Sequence, residues 1–298
     1  MKKNIILTGA TGYIGYKLVK VLLDSDHNVY AIIRNSSNKK DIISPYLNHT
    51  NFYLIEYSGD IQELISAFSN INNPTVVHLA SNFMFQHKSE DIDSLIESNV
   101  TFGSKILEAM SVNNIESFIY TGTSWQNFHS EKYNPVCFYA ATKEAFEKIV
   151  EYYVSIDAIR SINLKLFDTY GPDDFRPKLF TLLKKVASTG ESFDMSPGDQ
   201  LVNLVHVDDI CSALRLTIEM IDGTKLGTHE KYGVSAKDQM PLKDMVKLFS
   251  TIIGKPININ WGRRPYRNRE VMIPCKTYND LPNWSQNISL NEGLKQLI

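Results

Sequence analysis

The sequence predicts an α/β protein in which a doubly wound parallel sheet is followed by a smaller C-terminal α/β lobe. Between Asn4 and about Phe167, short runs rich in β-branched residues alternate with amphipathic stretches, as in successive βαβ units. The short runs are apolar throughout, which is typical of strands covered by helices on both faces. After the segment YGPDDFRP the alternation gives way to shorter pieces separated by prolines. We therefore divide the chain into a first domain, 1–168, and a smaller lobe, 169–298, with the chain free to cross between them.

The elements follow from the spacing of apolar residues along the chain. The predicted strands of the first domain are 4–8, 28–33, 51–56, 75–80, 116–121 and 161–167, and its predicted helices are 13–25, 60–69, 91–112 and 138–158. In the smaller lobe we predict helices at 177–188, 207–220, 242–253 and 289–297, with short strands at 192–195 and 202–206.

Composition excludes several classes of protein. The chain has 298 residues, 21% of them charged, and a net charge of -2, so it lacks the basic excess of a nucleic-acid binder. Cys137, Cys211 and Cys275 show no metal-ligand spacing, which predicts a reduced chain without a bound metal. No apolar run reaches the roughly 18 residues of a membrane span, and the first residues do not resemble a signal peptide. We expect a cytoplasmic protein with no membrane partner.

A glycine triplet lies where a nucleotide would bind. The segment LTGATGYIG follows the first strand and enters the first helix. Glycine lets the chain turn sharply and lets a pyrophosphate approach the backbone, while the helix N-terminus offers free N–H groups to the anion. We expect cofactor contacts from Gly9, Thr11, Gly12, Tyr13, Ile14 and Gly15.

The end of the second strand indicates which dinucleotide binds. A carboxylate at this point would accept hydrogen bonds from a ribose 2′-hydroxyl, but the sequence reads AIIRNSSNKK, with no acid before Asp41. Arg34, Asn35 and Ser36 would suit a 2′-phosphate, so we predict NADP(H); the alternative is that Arg34 is a solvated loop residue. Asp60, just before Ile61, either accepts from the adenine amino group or caps the following helix, and both roles are compatible.

A lysine within an apolar helical stripe indicates catalysis. In FYAATKEAFEKIVEYY, Lys143 falls in register with the apolar positions and lies one turn after Tyr139. An ammonium beside a phenol, together with an oxidised nicotinamide, would lower the phenol pKa, and the same ammonium could hold ribose hydroxyls of the cofactor. Thr121, Thr123 and Ser124 supply hydroxyls at the carboxyl end of the fifth strand, where open α/β sheets bind ligands.

These motifs resemble the extended short-chain dehydrogenase/reductase family of nucleotide-sugar epimerases, dehydratases and reductases, which has a Rossmann fold. The resemblance is carried by TGATGYIG, VVHLA, ESNVTFGSKILEA, YTGTS, YAATK and LFDTYGP, and by LVNLVHVDDICSAL and RPYRNREVM in the second lobe. It implies that Thr123 polarises a substrate oxygen, that Tyr139 exchanges a proton, and that Lys143 is its electrostatic partner. Asn99 would hold a helix kink and a water near Lys143, or simply cap its own helix. The remaining expected cofactor contacts are Asp60, Ile61, Leu79, Ala80, Ser81, Asn99, Thr121, Tyr139 and Lys143.

The sequence also departs from the family pattern. Dehydratases of the family carry an Asp-Glu pair after the catalytic threonine, where this chain has Ser124 and Trp125, so we disfavour dehydration. Val202 stands where an arginine often precedes VDD, and Lys165 and Asp168 replace the usual Arg and Asn. Phosphate binding would then fall to Arg267, helped by Arg263, Arg264 or Arg269, unless these form a solvated loop. The expected substrate contacts are Phe83, Phe85, Thr123, Ser124, Trp125, Asp168, Arg267 and Glu270. Packing is an equal alternative for Phe83 and Phe85.

The function predicted from sequence is NADPH-dependent reduction of the 4-keto group of a nucleotide-linked deoxysugar, in the biosynthesis of surface polysaccharide sugars. Within the family, NLVHVDDI and RNREVM are similar to synthases of CDP-3,6-dideoxyhexoses such as abequose and paratose. One alternative is a C4 epimerase with tightly bound NAD, and another is a non-catalytic NADP-binding protein. The resemblance also implies a homodimer formed through the helices at 91–112 and 138–158. His206, Asp208 and Asp209 fit a strand end and a helix N-terminus better than a metal site.

Overall fold

A computed structural model describes residues 1–35 and 40–298. The strands are β1 (Asn4–Thr8), β2 (Asn28–Arg34), β3 (Phe52–Tyr57), β4 (Thr75–His78), β5 (Ser117–Thr123), β6 (Arg160–Leu166), β7 (Asp168–Tyr170), β8 (Phe193–Asp194), β9 (Leu201–Val202), β10 (Leu204–His206), β11 (His229–Val234), β12 (Met240–Pro241), β13 (Ile259–Asn260) and β14 (Asn279–Asp280). The helices are α1 (Tyr13–Asp24), α2 (Ile61–Ser69), α3 (Ile92–Ile96), α4 (Phe102–Val112), α5 (Phe138–Ser155), α6 (Leu179–Thr189), α7 (Val207–Met220), α8 (Leu242–Ile253) and α9 (Leu290–Lys295).

The main sheet confirms the predicted doubly wound parallel architecture. Its strand order is β14-β11-β6-β5-β4-β1-β2-β3, and every neighbouring pair is parallel. Alternate residues of each strand enter different cores, because successive side chains of a strand point to opposite faces. Ile5 and Leu7 of β1 enter one core, and Ile6 between them enters the other. The carboxyl ends of β1, β4 and β5 therefore meet at one edge with helices behind both faces.

The structure corrects several predicted boundaries. The helix predicted at 91–112 is divided into α3 and α4 by a π-helical turn, Glu97–Thr101. The strand predicted at 202–206 is divided at Asn203, whose side chain bonds the backbone of Ala236, so that β9 pairs with β12 and β10 pairs with β7. Strand β4 ends at His78, two residues earlier than predicted.

Strand β11 was not predicted at all. Its sequence HEKYGV lacks the apolar run of a buried strand, yet it pairs with β6 along its whole length. Lys231 in its centre ion-pairs with Glu147 of α5 at 2.5 Å, so a charge contact replaces apolar packing there. Because β11 and β14 come from the range 169–298, the chain returns to the main sheet after residue 168. The division of the chain at residue 168 into two lobes stays a prediction.

The second lobe has its own core. Leu183 of α6, Met245 and Phe249 of α8, and Leu294 of α9 pack together and are fully buried. In the described part of the chain, no helix is both long enough and apolar enough to cross a bilayer.

Candidate active site

The glycine loop after β1 forms an open cradle. Gly9 has φ +77°, and a Cβ on it would lie 2.7 Å from the backbone nitrogen of Ala80. A Cβ on Gly15 would collide with the carbonyl group of Gly9. Gly12 is the N-cap of α1 and provides no side-chain cap, which leaves the first N–H groups of that helix free for an anion. The space that side chains would fill, together with these free donors, fits the pyrophosphate of a dinucleotide.

The loop residues between the glycines have different surroundings. Thr11 and Ile14 are half-buried beside the cradle. The side chain of Tyr13 is buried and turns away to the second lobe, where its hydroxyl donates to Pro172 O at 2.9 Å and its ring lies 4.6 Å from the Arg176 guanidinium. Only the backbone of Tyr13 is therefore placed near the cradle, in the first turn of α1.

Two of the three residues expected at the ribose are described. Arg34 ends β2 and is exposed, and the exposed Asn35 donates its backbone N–H to Tyr57 O at 2.9 Å. Ser36 lies outside the described residues. An acid missed in the sequence, Glu56 on the adjacent strand β3, lies opposite Ile33 and is paired with Lys40 at 2.7 Å.

Asp60 caps α2. Its Oδ1 accepts from the N–H of Gln62 at 2.9 Å, which confirms the capping role expected from sequence, and its side chain is exposed. Contact with an adenine amino group remains a prediction for Asp60, as does cofactor contact for its half-buried neighbour Ile61.

The carboxyl end of β4 is joined to the helices by Asn99. The Asn99 side chain, 2% exposed and within the π-helical turn, accepts from Asn82 N at 2.7 Å. It also donates to Asn82 O at 2.9 Å and to Thr142 Oγ1 of α5 at 3.0 Å. A helix kink is therefore present at Asn99, and the residue fixes the chain that follows β4. That chain contains Leu79, Ala80 and Ser81, all expected at the cofactor.

Lys143 is held inside the molecule. Its side chain is 3% exposed, so it does not escape to solvent along its stem. Burial lowers the pKa of Lys143 to about 8, the positive charge of Lys165 adds to this, and Glu147 opposes it. A lysine with this pKa is still largely protonated at neutral pH.

Tyr139, one turn earlier on α5, is half-buried. Burial raises the pKa of Tyr139 to about 12, and a hydrogen bond with the Ser81 side chain works against this rise. The sequence led us to expect a pKa lowered by Lys143 together with an oxidised nicotinamide ring. In the protein chain alone, desolvation of the phenol prevails instead, and Tyr139 is protonated at neutral pH.

The hydroxyl residues of β5 are ordered by a short turn. Thr123 Oγ1 accepts from Trp125 N at 3.3 Å, and Thr123 N donates to the side chain of Gln126 at 3.0 Å. Thr121 and Ser124 are both 8% exposed or less, so their side chains are largely enclosed. Only Thr123 keeps a half-exposed side chain at the end of this strand.

Aromatic rings surround Tyr139. The ring centroid of Phe83 lies 5.0 Å from that of Tyr139, with the two rings edge to face, and 5.7 Å from that of Trp125. Phe85 also meets Trp125 edge-on, at 5.3 Å. The loop after β4 and the turn after β5 thus form a joint apolar wall beside the phenol.

Cations cover this wall. Lys178 Nζ lies 5.4 Å from the centre of the Phe83 ring, and the Arg267 guanidinium lies 4.4 Å from that of Phe85. Desolvation by the surrounding protein raises the pKa of the Asp168 carboxyl. The positive charges of Lys178, Arg176 and Arg267 oppose this rise. The predicted substrate residues Phe83, Phe85, Trp125, Asp168 and Arg267 are therefore neighbours. Glu270 accepts from Arg267 N at 3.3 Å and so shapes the turn that carries this arginine.

Sequence reasoning missed Lys178 and misplaced part of the arginine cluster. Lys178 follows the YGP segment in the sequence YGPDDFRPK. Its basic character there was the only sequence feature that could have indicated a role at the site. Arg264 lies over Phe193 at 4.8 Å, and Arg269 lies over Phe128 at 4.6 Å while bonding Asn134. Arg264, Arg267 and Arg269 therefore lie over three different rings and do not form one clamp.

A parallel sheet with a glycine cradle after its first strand, and a tyrosine and a buried lysine on the helix beside β5, defines a dinucleotide-binding α/β enzyme. Residues 5–232 match the model of the NAD dependent epimerase/dehydratase family. The chain belongs to this family, whose enzymes use a nicotinamide dinucleotide, and the resemblance seen in the sequence is confirmed.

Relatives and solved structures agree with this assignment. A CDP-abequose synthase of Yersinia pseudotuberculosis is 28% identical over 282 residues, with 93% of this chain and 94% of that protein covered. A CDP-abequose synthase of Salmonella typhimurium is 25% identical over 308 residues, with 100% and 98% covered. The structure of UDP-glucuronic acid 4-epimerase from Bacillus cereus, in complex with UDP-glucuronic acid and NAD, has a TM-score of 0.82 at 23% identity, covering 98% and 97% of the two chains. The structural likeness shows a shared fold.

Proposed function

We propose that the protein is an NADPH-dependent reductase of the 4-keto group of a nucleotide-linked deoxysugar, a nucleoside-diphosphate 4-keto-6-deoxy or 3,6-dideoxy hexose, in the biosynthesis of surface polysaccharide sugars. The observation that carries this proposal is that the Phe83 ring contacts two groups. Its centroid lies 5.0 Å from the centroid of the Tyr139 ring and 5.4 Å from Lys178 Nζ. A proton donor and a cation suited to a diphosphate therefore flank the same ring. The similarity to CDP-abequose synthases supports a CDP-linked substrate.

The chain's own groups fit the reductive direction. The glycine cradle and Lys143 would hold the cofactor, which when bound would supply a hydride to the C4 carbonyl carbon. Tyr139 then donates its phenolic proton to the carbonyl oxygen as negative charge develops there. A pKa of about 12 keeps that proton on Tyr139 at neutral pH until the oxyanion, a stronger base, needs it.

Thr123 assists at the same oxygen. Its Oγ1 accepts a hydrogen bond from Trp125 N, which leaves the hydroxyl proton free to be donated to the substrate. The positive charge of Lys143 stabilises the phenolate that Tyr139 becomes after proton transfer. These roles need no additional acid or base.

The surroundings of the site do not support dehydration. Positions 124 and 125 carry a largely enclosed serine and a tryptophan that packs against Phe83 and Phe85, so neither can act as an acid or base there. The carboxylates of Glu144 and Glu147 are bonded to the Gln126 side chain.

NADPH rather than NADH is favoured by the charges at the end of β2. Arg34 is exposed there, and Lys40 neutralises the nearby Glu56 at 2.7 Å. A 2′-phosphate would therefore meet a guanidinium and no unpaired carboxylate among these three residues.

The test is to incubate the purified protein with NADPH or NADH and a panel of CDP-, dTDP-, GDP- and UDP-linked 4-keto-6-deoxysugars, and to follow the absorbance of the reduced nicotinamide. We expect stoichiometric consumption of NADPH with one nucleotide class, and slower consumption of NADH. A C4 epimerase, which the shared fold of UDP-glucuronic acid 4-epimerase keeps as the second candidate, would interconvert two sugars without net consumption. An inactive NADP-binding protein would bind cofactor and convert none of the panel.

We also propose that the protein is a homodimer. Ile96, Val112, Tyr152 and Ile156 are large apolar residues on or just after α3, α4 and α5, and all are exposed. Apolar surface on two neighbouring helices is well suited to a four-helix contact between copies. Light scattering should give twice the chain mass of 33.9 kDa, and Tyr152→Glu should shift it towards the monomer.

A further inference from the structure

We propose that Gln126 is a positioning residue that fixes Thr123 relative to the helix bearing Tyr139. The Gln126 side chain is fully buried. Its Oε1 accepts from Thr123 N at 3.0 Å, while its Nε2 donates to Glu144 Oε2 at 2.6 Å and to Glu147 Oε2 at 3.0 Å. One amide therefore ties the end of β5 to α5. The inference rests on the proposed function, because it explains how two groups of that mechanism are held together.

The Glu147 end of this link is bonded to further residues. Glu147 is 2% exposed, and its carboxylate accepts from Asn163 Nδ2 at 2.9 Å and pairs with Lys165, both on β6. Lys231 of β11 pairs with it from another side at 2.5 Å. Glu147, one of the two carboxylates that hold Gln126, is thus bonded to two strands of the main sheet.

The backbone next to Thr123 is shaped to this network. A Cβ on Gly122 would lie 2.8 Å from Gln126 Oε1, 2.8 Å from Asn163 Oδ1 and 2.6 Å from Lys165 Cδ. Glycine is required for β5 to approach the network so closely. The residue of β5 just before Thr123 is therefore packed directly on the Gln126 amide and on two side chains of β6.

Gln126 positions and does not itself touch substrate. Its amide nitrogen donates to Glu144 and Glu147, and its amide oxygen accepts from Thr123 N. No part of the side chain reaches solvent. The effect of Gln126 must therefore pass through the placement of Thr123. Small displacements of a reacting group are costly, since a shift of about 1 Å can reduce a rate by about 10²-fold.

The test is a double-mutant cycle between Gln126→Met and Thr123→Val, assayed with NADPH and the 4-keto sugar nucleotide that gives the fastest turnover in the panel. We expect Gln126→Met to lower kcat by about 10- to 100-fold when Thr123 is present. In the Thr123→Val background it should cost less than about threefold, because the group that it positions is gone. The KM for NADPH should stay within about threefold throughout. A residue with only a structural role would lower kcat by the same factor in both backgrounds.

Asn163→Leu is the matched control. It removes an amide hydrogen bond of similar length, 2.9 Å, to the same Glu147 carboxylate but leaves the bond to Thr123 in place. We expect a similar loss of thermal stability with a much smaller loss of kcat. If Gln126→Met is not recovered folded, Gln126→Asn replaces it, because the shorter amide cannot span from Thr123 to both carboxylates.

The outcomes separate the inference from the proposed function. No reduction of any 4-keto sugar by the native protein would overturn the function. An active native enzyme with equal losses from Gln126→Met in both backgrounds, or with no loss in either, would overturn the positioning role alone.

Discussion

The ring of Phe83 meets the ring of Tyr139 edge to face, with centroids 5.0 Å apart and an interplanar angle of 78°. An apolar residue from the loop after β4 therefore packs against the phenol that we propose as the proton donor. Desolvation is the main reason that the pKa of Tyr139 is raised to about 12. With this pKa, Tyr139 keeps its proton at neutral pH in the protein chain alone.

Tyr139→Phe should remove this acid with little change in shape. We expect kcat to fall by about 10²- to 10⁴-fold, the usual contribution of a positioned general acid, while the dissociation constant for NADPH changes by less than about threefold. Turnover is measured by nicotinamide absorbance, and cofactor binding is measured by calorimetry. Tyr53→Phe, at an exposed tyrosine on β3 outside the proposed dimer contact, is the control of the same residue type and should keep native turnover. An unaltered kcat in Tyr139→Phe would exclude this residue as the proton donor.

Lys178 and Arg267 should act on substrate affinity. Lys178→Met and Arg267→Met should each raise the KM for the nucleotide sugar by about 10-fold, because a hydrogen bond to a charged group contributes about 1.5–3 kcal/mol. Their effect on kcat should be small, since neither cation is proposed to contact the reacting carbonyl.

Arg264→Met is the control for this pair. Arg264 lies on the same loop as Arg267 but over Phe193, at 4.8 Å, and should leave KM within about twofold. If Arg264→Met and Arg267→Met raised the KM for the nucleotide sugar equally, the loop would act through its overall charge and not through the position of Arg267.

Much of the site was predictable because its signals are local. The glycines at 9, 12 and 15 lie within one short loop and the first turn of α1, and Tyr139 and Lys143 lie one turn apart on α5, so that spacing alone fixes their geometry. A lysine in an apolar stripe could either reach solvent along its stem or be used in a pocket, and the structure shows that Lys143 is buried.

The features that sequence reasoning missed depend on contacts between distant segments. Lys178 lies near Phe83 only because the second lobe folds over the loop after β4, and no spacing rule joins residues so far apart. Strand β11 was missed because Lys231 is stabilised by Glu147, not by apolar packing. The pKa of Tyr139 was expected to fall because the sequence shows a neighbouring charge but not the extent of desolvation.

Arg34 should determine the preference for NADPH. Arg34→Ala removes the guanidinium at the end of β2, so we expect the KM for NADPH to rise by about 10-fold and the KM for NADH to change by less than about twofold. Both constants are measured with the same keto sugar. Arg215→Ala, an exposed arginine on α7, is the control of the same residue type and should alter neither constant. Equal increases for the two cofactors would exclude recognition of the 2′-phosphate by Arg34.

His78 should make the fold sensitive to acid. It is 1% exposed, packs against Phe102, Phe118 and Phe146, and shares a hydrogen bond of 2.9 Å with Thr8 Oγ1. Burial, with a smaller effect of Lys143, lowers the pKa of His78 from 6.5 to about 3. The unfolded chain therefore binds the proton more readily, and this contribution to stability is complete above pH 6.5 and is lost as the pH falls towards 3.

Between pH 7 and pH 5 this loss is about 2 kcal/mol in the free energy of unfolding, because each unit of pKa difference corresponds to about 1.4 kcal/mol. The measurement is urea unfolding at both pH values. His78→Asn keeps a polar partner for Thr8 but cannot be protonated, so its stability should fall by about 2 kcal/mol less than that of the native protein over the same interval. The variant will be less stable at pH 7, since it leaves space among three phenylalanine rings. Only the difference between the two pH values tests the prediction, and equal acid sensitivity of both proteins would show that other groups cause the loss.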